Sequence, residues 1–336
     1  MILDLLKKLV EKKDLTVSES EQFLLEVMKG GVSPTCIASI LVALRMKGES
    51  VDEIVGFLRA MRANMLKVNA PDAIDIVGTG GDGSGTFNIS TTAAFVVAGV
   101  GVKVAKHGNR AASSKCGSAD VLEALGVNIQ LTKEQAEEVF KNVGLVFMMA
   151  PLYHPAMKEV AAVREELKIR TVFNVLGPFA NPASTQTQLT GVPNKAIAKK
   201  LAEVGKRLGY KRLLVVSSND GMDEISLSSK THMFDVYRGK VKKSLIDPKR
   251  YGFKRSSKKD ILGGDATENA AIIRAILSGG SGAQRDVVVF NSAFALYAAG
   301  AAASIQEGIE KAKQSIDSGS ALRVLESLIR ETQNFA

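Results

Sequence analysis

The chain contains no tryptophan, two cysteines, three histidines and few aromatic residues of any kind. Each scarcity removes a class of function. The five tyrosines and 13 phenylalanines form no stripe of the sort on which bases stack. Cys36 and Cys116 make neither a disulfide framework nor a metal spacing. His107, His154 and His232 are too scattered for a local zinc motif. No apolar run approaches the roughly 18 residues that cross a bilayer. The opening MILDLLKKLVEKKD is an amphipathic helix pattern with no secretory cleavage signal after it, so cytoplasmic residence is the expectation. There is no internal repeat and no low-complexity tract.

What is present is ordinary in bulk and unusual in detail. With 336 residues, 46% of them hydrophobic and 24% charged, the chain is long enough for two domains with full cores. The net charge of +9 favours polyanionic partners without choosing between nucleic acid and a phosphorylated metabolite. Much of the lysine lies on predicted helix faces and between Lys240 and Lys259, where a solvated surface is the simpler account.

Residues 1–68 read as helices only. Ser18 with Glu21 forms a capping box ahead of Phe23, Leu24, Val27 and Met28, and Gly30-Gly31 stops that helix. Ser33-Pro34 opens the next, and Ser50 with Glu53 caps a further one. The apolar positions outnumber what one small bundle can bury, which marks Leu41, Leu44 and Phe57 as surface left over for a partner. From Pro71 strands alternate with helices, the pattern of a mostly parallel sheet covered on both faces. Strands are predicted at 73–77, 102–105, 145–150 and 212–217, with a short antiparallel excursion at 224–227 and 233–237. Residues 238–264 read as irregular surface, and Val287–Phe290 as a strand between helices. Fold class is therefore α/β: a small all-helical N-terminal domain (1–68, joined by returning helices near 160–184) and a larger α/β domain (71–336).

Two glycine-rich runs carry the chemistry. GTGGDGSGTFNIST (78–91) and KHGNRAASSKCGSADVLEALG (106–126) each follow an apolar strand and lead into a helix. That arrangement aims backbone N–H groups at an anion. The first run lacks the Gly-Lys-Ser/Thr ending of a Walker A loop and the spacing of the dinucleotide fingerprint. Simple helix capping would use one of Asn88, Ser90 and Thr91 and leave the others idle. The second loop adds Lys106, His107 and Arg110, with Asn109, Ser113 and Ser114 as donors. Together the loops point to a ligand with more than one phosphate. Asp223-Glu224 would alone be a solvated turn; beside a polyphosphate they suit magnesium, which takes one or two carboxylates plus phosphate and water.

GTGGD at 78–82, NIST at 88–91, KHGNR at 106–110, GSADVLEALG at 117–126, HPAM at 154–157 and GMDE at 221–224 together resemble the anthranilate phosphoribosyltransferases, within the nucleoside phosphorylase-like phosphoribosyltransferases. The resemblance covers nearly the whole chain. It implies transfer of phosphoribosyl from phosphoribosyl pyrophosphate (PRPP) to anthranilate in tryptophan biosynthesis, with pyrophosphate released. It also implies two Mg2+ per subunit and a homodimer through the helical domain. Matched position by position, PRPP would meet Gly78, Gly81, Asp82, Thr86, Asn88, Ile89, Ser90 and Thr91 in the first loop. In the second it would meet Lys106, His107, Gly108, Asn109, Arg110, Ala111, Ala112, Ser113, Ser114 and Ser118. Anthranilate would meet Gly78, Asn109, His154, Arg164 and Pro178. Ser90 would touch one metal ion and Asp223 with Glu224 the other, and His107 is the one candidate for moving a proton.

Two other readings stay open on the residues alone. A pyrimidine-nucleoside phosphorylase also carries a Lys-His loop, but Gly80-Gly81-Asp82, Asn109-Arg110 and Arg164 favour anthranilate. A non-catalytic nucleic-acid-binding relative would have no need of the metal and acceptor residues. Arg164 itself could simply be an exposed arginine paired with Glu159 or Glu165.

Overall fold

A computed structural model describes residues 2–111 and 114–336. The chain opens with four helices, α1 (Ile2–Val10), α2 (Val17–Met28), α3 (Pro34–Lys47) and α4 (Val51–Asn64). Ser33 caps α3 ahead of Pro34, and Ser50 with Glu53 makes the capping box of α4. The cap of α2 lies two residues earlier than predicted. Thr16 and Glu19 form the box, because the Glu19 carboxylate is also held by Lys8, and Ser18 falls inside the helix.

The rest of the chain winds around one sheet. In order come β1 (Ile74–Gly78), α5 (Ile89–Gly99), β2 (Val104–Gly108), α6 (Ser118–Ala124), α7 (Lys133–Val143) and β3 (Leu145–Met149). The short helices α8 (Ala150–Tyr153), α9 (Lys158–Leu167) and α10 (Phe173–Leu176) lead to β4 (Thr187–Gly191), α11 (Lys195–Arg207) and β5 (Arg212–Ser218). An antiparallel pair, β6 (Thr231–Tyr237) and β7 (Lys240–Ile246), completes the sheet, and α12 (Ala266–Leu277), α13 (Ala283–Ala298), α14 (Ile305–Asp317) and α15 (Ser320–Gln333) complete the chain. The seven strands run in the order β3-β2-β1-β4-β5-β6-β7, the first five parallel and the last two antiparallel. The expected α/β class, with a helical N-terminal unit and a mostly parallel sheet, is the observed one.

Several predicted elements are placed differently. Val287–Phe290 lies within α13, which is buried nearly all round; a short apolar run does not by itself separate a strand from a buried helix. Glu224–Leu227 joins no strand, because the Asn291 side chain takes both main-chain groups of Ile225, donating to its oxygen and accepting from its nitrogen, each at 2.9 Å. Lys240–Ile246, read as irregular, is the edge strand β7; its lysines face solvent, a usual protection for an exposed edge. The polar strand β4 was not expected at all. Its Gln188 and Thr190 are buried and bond to each other, at 2.6 Å.

Leu41, Leu44 and Phe57 are fully buried and leave no surface for a partner. The chain returns to cover them: Phe173 of α10 meets Phe57 edge-on at 5.9 Å, as Phe23 does at 6.0 Å. The apolar side chains left exposed are elsewhere, among them Leu3 and Val10 on α1 and Met46 on α3. The core beneath α1–α4 also takes in α9, α10, α11 and one face of β5 and β6. Among the described residues no helix is long and apolar enough to cross a membrane.

Candidate active site

The parallel strands β1, β2 and β4 end together, and the candidate residues gather at those ends, where open α/β sheets bind ligands. Gly78 is the last residue of β1. A Cβ there would strike the Asp223 carboxylate, so the glycine lets the 219–224 loop lie against the strand. From Gly78 the chain enters the first loop, where Gly80 and Gly81 both have φ of +69°, a conformation costly for other residues. The Gly80 N–H donates to Asp223 Oδ2 at 2.7 Å, and the Asp223 N–H donates to Asp82 Oδ2 at 3.3 Å. Asp82 also accepts from the Ser84 N–H, and Thr86 forms an isolated bridge to Leu262.

Asn88, Ile89, Ser90 and Thr91 form the start of α5. Asn88 sits at the cap position without capping: its side chain donates to Cys116 O at 3.3 Å and accepts from Asn269 at 3.0 Å. It therefore ties the first loop to the second and to α12. Ile89 and Thr91 are buried, leaving Ser90 partly open at the helix start. The dipole there favours an anion.

The second run departs from its expected shape. Lys106, His107 and Gly108 belong to β2 rather than to a loop, and Lys106 and His107 are buried. The Lys106 ammonium donates to Ile76 O at 2.5 Å and to Ser90 Oγ at 3.3 Å. Burial lowers its pKa, while Asp75 and Glu224 pull it back up. Asp75, fully buried in β1, is pushed up to about 6 by burial, against the attraction of Lys106, and accepts from Asn181 at 2.7 Å. The loop beyond is organised by Asp120, whose Oδ2 accepts from Ala111 and Gly117 N–H at 2.9 and 2.8 Å. Arg110, expected at phosphate, has its guanidinium on Glu123 and Asp120; two carboxylates nearby win it in this structure. Asn109 accepts from the Arg110 N–H and, through its main-chain oxygen, from Ser118 at 3.3 Å. Ser114 reaches Cys116 O. Ala112 and Ser113 lie outside the described residues.

Of the candidate acceptor residues, His107, His154 and Pro178 come together at the end of β2. His107 Nδ1 lies 3.1 Å from Gly177 O. A carbonyl only accepts, so Nδ1 carries the proton, and the buried Nε2 is left with a lone pair and no partner among the described residues. His154 likewise donates from Nε2 to Ala180 O at 2.9 Å, with its ring 5.2 Å from that of His107. Burial holds both imidazoles low, His107 at about 3, so both are neutral at pH 7. Pro178 is buried beside them, its carbonyl held by Gln188 at 2.9 Å. Arg164 on α9 has no ion pair with Glu159 or Glu165. It is partly buried, stacks over the Phe173 ring at 5.5 Å, and has its pKa lowered by desolvation. Among the described residues its guanidinium makes no ion pair, although such a group pairs readily with a carboxylate.

Asp223 and Glu224 are recessed, enclosed by protein yet each retaining a partly open surface. Desolvation first, then the charge of Asp82, pushes Asp223 up to about 7. Desolvation and Asp223 push Glu224 well above the carboxylate range, and the Ser90 N–H and Lys106 oppose it. A cation would relieve both repulsions. Among the described residues no three acidic, histidine or cysteine side chains close into an all-protein metal cage. The oxygen donors thus fit magnesium of the kind completed by phosphate and water.

Asp75, Asn181, Asp120 and Arg170 were missed. An acidic residue inside the apolar strand AIDIVG was a legible signal for Asp75, and Asp120 follows Gly117 by three residues at a helix start; Asn181 and Arg170 carry none, since their partners lie far along the chain.

The family model described as "Glycosyl transferase family, a/b domain" matches residues 70–322, and "Glycosyl transferase family, helical bundle domain" matches residues 3–65. The chain is 50% identical to the anthranilate phosphoribosyltransferase of Pelotomaculum thermopropionicum, covering 100% of this chain and 98% of that one. Its fold superposes on a crystal structure of the Thermus thermophilus enzyme with a TM-score of 0.92 at 41% identity, covering 98% and 99% of the two chains. The Saccharomyces cerevisiae enzyme in complex with PRPP and Mg matches with a TM-score of 0.91 at 29% identity, covering 99% and 98%. The same yeast enzyme is also known in complex with 4-fluoroanthranilate. Likeness of this strength over both halves of the chain settles the kinship: the chain belongs to the anthranilate phosphoribosyltransferase family.

Proposed function

We propose that this protein transfers the phosphoribosyl group of PRPP to the amine of anthranilate, releasing pyrophosphate. The observation that carries the reading is the convergence, at the ends of β1 and β2, of two glycine-rich loops, Lys106 and the recessed Asp223-Glu224 pair. The donor's phosphates would lie along Gly78–Thr91 and Lys106–Ser118, with Arg110 first exchanging its carboxylates for phosphate. Anthranilate would bind on the side of His107, His154, Pro178 and Arg164, with Gly78 and Asn109 between the ligands. Ser90 would serve one metal ion and Asp223 with Glu224 a second. Bound magnesium supplies charge neutralisation of the pyrophosphate leaving group.

Breaking the C1–pyrophosphate bond leaves positive charge on the sugar and negative charge on the leaving group. Lys106 and the main-chain donors at the start of α5 are fixed in advance to favour that separation, which is electrostatic catalysis. An aromatic amine is neutral near pH 7 and attacks without prior deprotonation. His107, neutral and with Nε2 unmatched among the described residues, would accept the amine proton only after the new bond forms. We also read the chain as two domains, 1–68 with the returning stretch near 160–184, and 71–336, and as a homodimer through the helical one. Leu3, Val10 and Met46 there leave apolar surface exposed.

The test is loss of anthranilate fluorescence on mixing with PRPP, with and without magnesium. No product in the complete mixture overturns the reading. Arg164→Ala sharpens it: the anthranilate KM should rise, with a loss of about 2–4 kcal/mol in kcat/KM, and the PRPP KM should be spared. Equal effects on both substrates would remove Arg164 from the acceptor side.

A further inference from the structure

Arg170, in the connection between α9 and α10, reaches across to the first glycine loop. Its Nη1 donates to Gly81 O at 2.7 Å and its Nη2 to Gly80 O at 3.3 Å. The two carbonyls belong to the consecutive left-handed glycines, so one planar guanidinium spans the whole turn. From another direction the Gly80 N–H is held by Asp223. A Cβ on Gly81 would run into the Arg170 guanidinium, which gives this glycine a steric reason in addition to its φ of +69°. The turn is thus clamped between the Arg170 guanidinium from the α9–α10 connection and the Asp223 carboxyl from the 219–224 loop.

Three features argue that the clamp is more than incidental packing. The turn it holds is exposed and made of glycines, the residues that lose most freedom on being fixed. Without an external hold, that freedom would be lost only when a ligand bound, at the expense of affinity. A guanidinium meets two carbonyls with a rigid fork that an ammonium cannot reproduce. The segment carrying Arg170 is also well braced. Lys168 adopts a left-handed conformation and donates its N–H to Arg164 O, and the Thr171 N–H donates to Asn174 Oδ1 at 2.8 Å.

We propose that Arg170 is a positioning residue that pre-forms the Gly80–Gly81 turn for the pyrophosphate end of the donor. The role in donor binding rests on the function proposed above; the clamp itself does not. Hydrogen exchange of the peptide spanning residues 79–84, measured without substrate, should quicken in Arg170→Ala and less so in Arg170→Lys. The donor KM, and the PRPP Kd by calorimetry with magnesium present, should rise by about tenfold or more in Arg170→Ala, since small misplacements of a positioned group cost this much or more. Arg170→Lys should recover part of the loss, and the anthranilate KM and the melting temperature should move little. If Arg170→Ala fails to fold, Arg170→Gln takes its place. Unchanged exchange, or loosened exchange with an unchanged donor KM and Kd, overturns the proposal. So does a raised anthranilate KM with the donor unaffected, which would put Arg170 on the acceptor. A wild-type protein with no transferase activity, whose 79–84 exchange still quickens in the variant, would sink the proposed reaction and leave the clamp standing.

Discussion

The helical region and the strand ends each take acidic side chains out of bulk water, and they treat them differently. Glu53, in the first turn of α4, is wholly buried and fully matched. Its Oε1 accepts from the Leu15 N–H at 2.9 Å, and its Oε2 from the Ser50 N–H at 2.7 Å and the Lys47 ammonium at 3.0 Å. It joins α4 to the chain before α2 and to the end of α3. Asp223 and Glu224 are recessed but left open, crowded by each other and by Asp82, and short of cations. A charge buried with its partners organises a fold, and removing either partner is destabilising. Carboxyls crowded together at an opening hold their protons more tightly, and a cation beside them would offset the cost of ionising. The difference is one of matched against unmatched acidity, and it is visible without reference to any relative.

The largest effect should come from breaking the second set. The double variant Asp223→Asn, Glu224→Gln should lose about 10³-fold or more in turnover, at the upper end for loss of electrostatic stabilisation of a transition state. Its magnesium optimum should shift upward and its urea midpoint, measured without metal, should hold or rise, because amides remove the cost of ionising two desolvated carboxyls. A fluorescence assay across a magnesium series and a urea titration read these together. A fall in stability would place the pair with Glu53 and undo the comparison.

Glu53→Gln should do the reverse. It keeps the shape and leaves Lys47 facing a neutral group, so unfolding free energy should drop by about 3 kcal/mol, the lower end for breaking a buried pair because Asp14 still holds Lys47. Turnover per folded molecule should be unchanged. Urea unfolding gives the first quantity and the fluorescence assay at low temperature the second.

Sequence reading recovered most of what is local and little of what is long-range. Helix starts at Ser33 and Ser50 were legible because a cap and its partner lie three residues apart. Both glycine loops were legible because their chemistry is contiguous. The boundary of the second was not: Lys106 and His107 look like loop residues, and their burial is tolerable only because Asp75 and the Ile76 and Gly177 carbonyls wait for them. Asn181 reaches Asp75 across 106 positions and Arg170 reaches Gly81 across 89, separations at which composition carries no signal. The strand β4 was hidden by its own polarity, since Gln188 and Thr190 are satisfied by partners that exist only in the folded chain.

The two histidines form an intermediate case, and pH sharpens the comparison through them. Each is buried with one ring nitrogen matched to a carbonyl, and each is held neutral. An ordinary imidazole takes its proton at 6.5, whereas burial, the neighbouring His154 and Lys106 hold His107 at about 3 despite its bond to Gly177. The folded pKa is thus depressed. Above pH 6.5 neither state binds the proton; below it the unfolded chain does and the native protein does not. Stability from this group is complete above 6.5 and declines as pH falls toward 3, by at most about 2 kcal/mol at pH 5. Urea unfolding at pH 7 and pH 5, without substrate, should therefore show a smaller drop in His107→Asn than in the wild type, by about 1–2 kcal/mol. The same neutrality predicts no step from His107 in kcat/KM between pH 5 and 8. An equal acid-induced drop in both proteins would mean that His107 is protonated in the native state, and it would then join Lys106 as a cation at the donor.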